Sequence, residues 1–118
     1  MHNKEIDEEA QKINLIEQGF NLKLPTKVEG VDVNGKKFQE KTKLTYISHS
    51  GSSFWLNSTV AMGTDLRLSI DIPQKLSEDK NLKLIIKGKV VFIESDNYEK
   101  DQKRISLRFE NKYIITEP

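Results

Sequence analysis

A chain of 118 residues supports one domain with one core. Its 19 basic and 18 acidic side chains balance to +1, which excludes a binder driven by a general excess of cations over phosphates, so no nucleic-acid partner is expected. Without cysteine, disulfides and thiolate metal sites are excluded, and two histidines are too few to build a metal centre of their own.

Residues 3–18 read as a helix. Ile6, Ala10, Ile13 and Ile16 fall on one face, Asn3 can cap the start, and acidic Glu5, Asp7, Glu8 and Glu9 suit the positive end of the helix dipole. Gly19 ends it. The chain therefore divides into a helix over residues 1–19 and a β-domain over residues 20–118. The apolar stripe covers a barrel mouth in one reading. In the other, Ile6 and Ile13 pair with a second copy or with a protein partner.

After Gly19 the period changes to two. Leu22, Leu24 and Val28 alternate with Lys23 and Lys27. Gly30 shifts the phase, which predicts a β-bulge. Asn34-Gly35 signals a hairpin. The return strand runs from Lys36 to Ile47, with Phe38, Thr42, Leu44 and Tyr46 on one face.

A small polar corner follows, His49-Ser50-Gly51-Ser52, between two apolar runs. Gly51 is expected to supply a positive φ there, and the hydroxyls of Ser48 and Ser50 to bond to the turning backbone. Ser53 to Leu56 form the next strand. It carries Phe54 and the single tryptophan, Trp55, which are expected on opposite faces.

Residues 60–65 form a turn. Leu66, Leu68, Ile70 and Ile72 then alternate with Arg67, Ser69 and Asp71, so the first set is expected to face the core and the second to face water. Pro73 ends that strand. Polar loops over residues 74–81 and 95–103 flank a long strand from Leu82 to Ser95, with a bend at Gly88. Ile105, Leu107 and Phe109 alternate in a further strand, and Tyr113 to Ile115 form a short final piece. Six antiparallel strands at this spacing predict a closed barrel, which also removes exposed edges.

No catalytic signature appears. The G-x-S-x-G elbow, the P-loop and the dinucleotide fingerprint are all missing. No enzyme activity, metal or bound cofactor is expected. The longest apolar runs fall far short of the ~20 residues of a membrane helix. The first residues lack the basic-then-apolar order of a secretory leader. A cytoplasmic protein is expected.

The pattern over roughly residues 20–110 resembles the PilZ domain. The resemblance runs through Leu24-Pro25-Thr26-Lys27-Val28-Glu29-Gly30, Asn34-Gly35-Lys36-Lys37-Phe38, and Ile47-Ser48-His49-Ser50-Gly51. It continues in Met62-Gly63-Thr64-Asp65-Leu66-Arg67-Leu68, Lys87-Gly88-Lys89-Val90-Val91 and Ser106-Leu107-Arg108-Phe109. It implies an all-β, six-stranded antiparallel barrel, here with one N-terminal helix, from a family in which many bacterial members bind cyclic di-GMP.

The binding motifs depart from the family pattern. Binding members carry R-x-x-x-R before the first strand, where two planar guanidiniums clamp phosphate and guanine edges. Those places fall near Leu15 and Gly19, and residues 1–66 hold no arginine. Lys12, Lys23 and Lys27 are the nearest cations, and a lysine has charge without the fork. In the second motif, (D/N)-x-S-x-x-G, Ser48 and Gly51 match but Tyr46 stands at the acidic or amide position.

The resemblance therefore implies a regulatory or adaptor module of cyclic di-GMP signalling with nucleotide binding weak or lost. Ser48, His49 and Gly51 would be the residual nucleotide site. A protein partner would meet Trp55, Ile6 and Ile13, as in PilZ adaptors of pilus or motility systems. One alternative is a receptor that still binds cyclic di-GMP by an altered mode. Another is a structural or dimerisation module of a larger protein.

Overall fold

Alternating apolar and polar residues put one face of each strand in an oily interior, and closing the sheet on itself satisfies both edges. The computed structural model describes residues 23–72, 81–95 and 102–116. Its strands are β1 (Pro25–Val31), β2 (Lys37–Ile47), β3 (Gly51–Leu56), β4 (Asp65–Ile72), β5 (Leu82–Ser95) and β6 (Lys103–Thr116). All neighbours are antiparallel, and the barrel closes in the order β1-β2-β3-β6-β5-β4. The helix expected over residues 3–18, with Ile6 and Ile13, lies outside the described residues. No described residue is helical.

The interior is filled by Val28, Leu44, Ile47, Phe54, Leu68, Ile70, Ile105 and Leu107, all buried. Each such side chain contributes roughly 1.5–3 kcal/mol relative to leaving it in water. Phe54 points inward and Trp55 is half-covered outside, as their adjacency on one strand requires.

The hairpin at Asn34-Gly35 is present, and its loop is held by Asp32. The Asp32 backbone N–H donates to Lys36 O (2.8 Å) and the Gly35 N–H to Asp32 O (3.0 Å). The Asp32 carboxylate accepts from the Asn34 N–H (2.8 Å) and the Lys36 N–H (3.0 Å). Gly35 takes φ 79, the left-handed position that closes such a loop without a Cβ clash. Asp32→Ala should lower stability by about 1 kcal/mol, and Asp32→Asn by less, because the amide oxygen can still accept. A thermal melt of the three proteins checks this.

Several register details differ from the alternation. No bulge occurs at Gly30: the β1–β2 ladder runs unbroken from Pro25↔Lys43 to Val31↔Lys37. Gly30 is instead a close approach, since a Cβ there would press on Leu66 Cδ2. The bulge falls on β2 between Leu44 and Tyr46. It reverses the phase, so Leu44 and Ile47 are buried while Tyr46 is exposed.

Ser69, expected in water, is buried. It is short and flanked in register by Lys27 of β1 and Ile85 of β5. Tyr113 to Ile115 are not a separate piece but the end of one long β6. Gly88 does mark an irregularity, with register shifts on either side of it along β5. A Cβ at Gly88 would come within 2.6 Å of Arg108 O.

Candidate functional site

The serine corner is the tip of the β2–β3 hairpin. The Ser48 N–H donates to Gly51 O (2.8 Å) and the Ser50 N–H donates to Ser48 Oγ (3.3 Å). Ser48 Oγ also lies 3.2 Å from Ser50 Oγ and 3.4 Å from Gly51 O. From outside the hairpin, the Phe109 N–H of β6 donates to Ser50 O (2.8 Å). The corner is thus closed within itself and pinned to the neighbouring strand.

Gly51 does not supply a positive φ. Among the described glycines that conformation belongs to Gly35 and Gly63. Gly51 is the first residue of β3, paired with Arg108, and a Cβ on it would press on the carbonyl oxygen of Leu107. The absent side chain therefore serves strand contact.

The structure brings Ser48 and Gly51 together and leaves His49 exposed beside them. Trp55 lies further along β3, half-buried on the outer face, with its carbonyl accepting from Thr42 Oγ1 (2.8 Å). Ser52 points inward. Its Oγ is buried with no partner. Ser53 Oγ faces Ser106 Oγ at 3.4 Å. Among the described residues no imidazole or carboxylate bonds to any of these hydroxyls. Nor does any group of three or more His, Asp or Glu there fit a metal ion.

Sequence reasoning missed what the sheet register adds. Arg108 stands opposite Gly51, and Arg104 opposite Trp55. Both alternate with inward-facing Ile105 and Leu107, so they share the outer face with Ser106. Across the same face Tyr46 pairs with Ser53, Ser53 with Ser106, and Ser106 with Phe92, which is exposed. The corner therefore borders a wall of two arginines and three aromatic side chains from four strands. A signal was present in Arg104-Ile105-Ser106-Leu107-Arg108. Only long-range pairing, from Gly51↔Arg108 to Trp55↔Arg104, shows that it faces the corner.

The sequence profile of the PilZ domain matches residues 13–115. This chain belongs to the PilZ domain family. Among solved structures this PilZ domain is similar to the Bacillus subtilis inhibitor of motility (MotI/DgrA), with a TM-score of 0.61 at 18% identity. That likeness covers 77% of this chain and 40% of the other, so the domain spans less than half the length of that neighbour. At this identity it shows the barrel. No curated protein matches.

Proposed function

We propose that this PilZ domain is a non-enzymatic regulatory or adaptor module of the cyclic di-GMP signalling class, cytoplasmic, with nucleotide binding weak or lost. The carrying observation is the closed state of the corner. The two motif residues that survive, Ser48 and Gly51, are engaged in shaping the hairpin and docking it on β6. Their presence is accounted for without a ligand. The position that would accept from a nucleotide is Tyr46, turned outward beyond the bulge. No arginine precedes Arg67. A protein contact then carries the output, and exposed Tyr46 and half-exposed Trp55 offer it apolar surface. The name of the similar Bacillus subtilis protein suggests motility as a setting.

Charge-assisted hydrogen bonds contribute roughly 1.5–3 kcal/mol each. Losing an arginine pair and a carboxylate takes an affinity of about micromolar to about millimolar or weaker. Titrating the purified chain with cyclic di-GMP, by calorimetry and amide shifts at about physiological salt, should give no saturation in the micromolar range.

The second reading is a receptor with an altered binding mode, and one observation favours it. Arg104 and Arg108 place two guanidiniums on the face beside the corner, although Arg104 is also 3.9 Å from Glu94. Saturation at micromolar concentration that is lost in Arg108→Ala would establish this second reading and overturn the first.

A further inference from the structure

A cleft of about 430 Å³ is formed by residues of β1, β2, β4, β5 and β6. Its apolar part is Gly30, Val31, Phe38 and Leu66. Gly30 is one reason it exists, because a side chain there would collide with Leu66. Phe38 is only partly buried, so an aromatic edge is available to a ligand.

Three cations line the opening: Lys37, Arg67 and Lys87. Arg67 and Lys87 are direct cross-strand partners. All three are exposed, and none joins an ion pair among the described residues. The acids of the rim are differently placed. Glu29 is 3.5 Å from Lys27, and Asp65 is 2.8 Å from Lys89. Glu110 also acts on Lys89, whose ammonium is held above its ordinary range chiefly by the bond to Asp65. Glu29 and Asp65 thus have cations within ion-pair distance, Glu110 has none among the described residues, and Lys37, Arg67 and Lys87 against that one carboxylate leave the opening positive.

The positive charge continues as a track. Along β2, Lys41 and Lys43 follow Lys37 on the outer face, and Lys41 pairs across to Lys27. From Lys37 to Lys43 the outward positions of β2 carry no aromatic residue on which bases could stack, and the exposed Tyr46 lies further on, beyond the bulge. A track longer than the cleft suits an extended segment, and an apolar floor suits one inserted side chain.

We infer that this cleft binds an acidic segment of a protein partner, which seats one apolar side chain over Gly30, Phe38 and Leu66 and sets carboxylates against Lys37, Arg67 and Lys87. The inference rests on the adaptor reading and supplies the chemistry of its partner. None of the cleft's lining residues belongs to the serine corner.

The test uses the full chain and a fluorescent nine-residue peptide with one leucine between two runs of four glutamates. Anisotropy and amide shifts are read at several salt concentrations. The expected result is saturable binding that weakens with salt, with shifts at Gly30, Phe38 and Leu66. Replacing the peptide leucine by serine should weaken binding about tenfold, as should Arg67→Glu in the protein. Lys83→Glu, at a cation already 3.6 Å from Asp71 and outside the cleft, should change it little.

Arg67 is exposed and Lys83 half-exposed, so the fold survives to be measured. Gly30→Ala, which should also block the site, is read only alongside its melting curve. Absence of saturation overturns the inference. So does indifference to the leucine or to Arg67→Glu, or tighter binding of a single-stranded oligonucleotide of equal charge. If the peptide fails while the cyclic di-GMP titration is flat, only the cleft is overturned. If the peptide binds and the nucleotide also binds at micromolar concentration, only the reading of the corner is overturned.

Discussion

Leu68→Ala should lower the stability of the domain by roughly 2–5 kcal/mol. Leu68 is fully buried in the middle of β4, paired with Val28 on one side and Ile86 on the other, and both partners are themselves buried. The barrel wall is continuous around this position, so the backbone cannot easily close the space that the missing carbons leave. The cavity term therefore adds to the lost burial. For a domain with a total stability of ~5–15 kcal/mol, a loss near the top of that range leaves a sizeable unfolded population at room temperature. The neighbouring substitution is the control. Ser69→Ala, one residue on, removes a single hydroxyl from a small buried side chain and leaves no sizeable cavity, so it should cost about 1 kcal/mol or less. Denaturant unfolding of the two variants reads the difference directly, with an unchanged m-value showing that the same surface is exposed on unfolding. Equal losses would mean that the face of β4 has been misassigned.

The alternation in β4 shows why the barrel was legible from sequence and why its details were not. A strand buried on one face records that burial every second residue, and Leu66, Leu68 and Ile70 do so without interruption. Asn34-Gly35 marks its hairpin because few residues tolerate a positive φ. The bulge between Leu44 and Tyr46 has no such mark. Both are large residues that suit either face, and the shift appears only when β3 is laid beside β2.

Gly30 and Gly51 were misread for a shared reason. A glycine kept for turning and a glycine kept for close approach look alike in sequence, and Leu66 and Leu107, which decide the matter, come from distant strands. Ser48 and the corner were found because local hydroxyl-to-backbone bonding is a short-range habit. Arg104, Arg108 and the cationic cleft were missed because a net charge of +1 hides where the charges lie. Glu40 makes the same point. It sits at a β2 position between Phe38 and Thr42, and its carboxylate accepts from the N–H groups of Asn57 (2.7 Å) and Ser58 (3.0 Å), a role visible only once the β3–β4 connection is in place.

Gly51→Ala should cost about 1–3 kcal/mol or more, in the complete absence of nucleotide. The added Cβ would press on the Leu107 carbonyl oxygen and lie 3.4 Å from the carbonyl carbon. Both atoms are backbone, so no rotamer change relieves the contact. Either β3 shifts away from β6, weakening the ladder from Gly51↔Arg108 to Leu56↔Lys103, or the corner opens and the bond from the Phe109 N–H to Ser50 O is lost. Ser48→Ala is the milder case. It removes the acceptor for the Ser50 N–H, a loss of about 1 kcal/mol. For a domain of this size each kcal/mol lowers the melting temperature by roughly 4 °C or somewhat more. The expected order of melting temperatures is therefore wild type, then Ser48→Ala, then Gly51→Ala. Added cyclic di-GMP should raise none of them, since a ligand stabilises a fold only in proportion to its binding. A Gly51→Ala protein that melts with the wild type would show that β3 and β6 are not pressed together there, and the retained motif would then need a ligand to explain it. A wild-type melting point that climbs with micromolar nucleotide, while that of Ser48→Ala does not, would return the corner to its role as a receptor site.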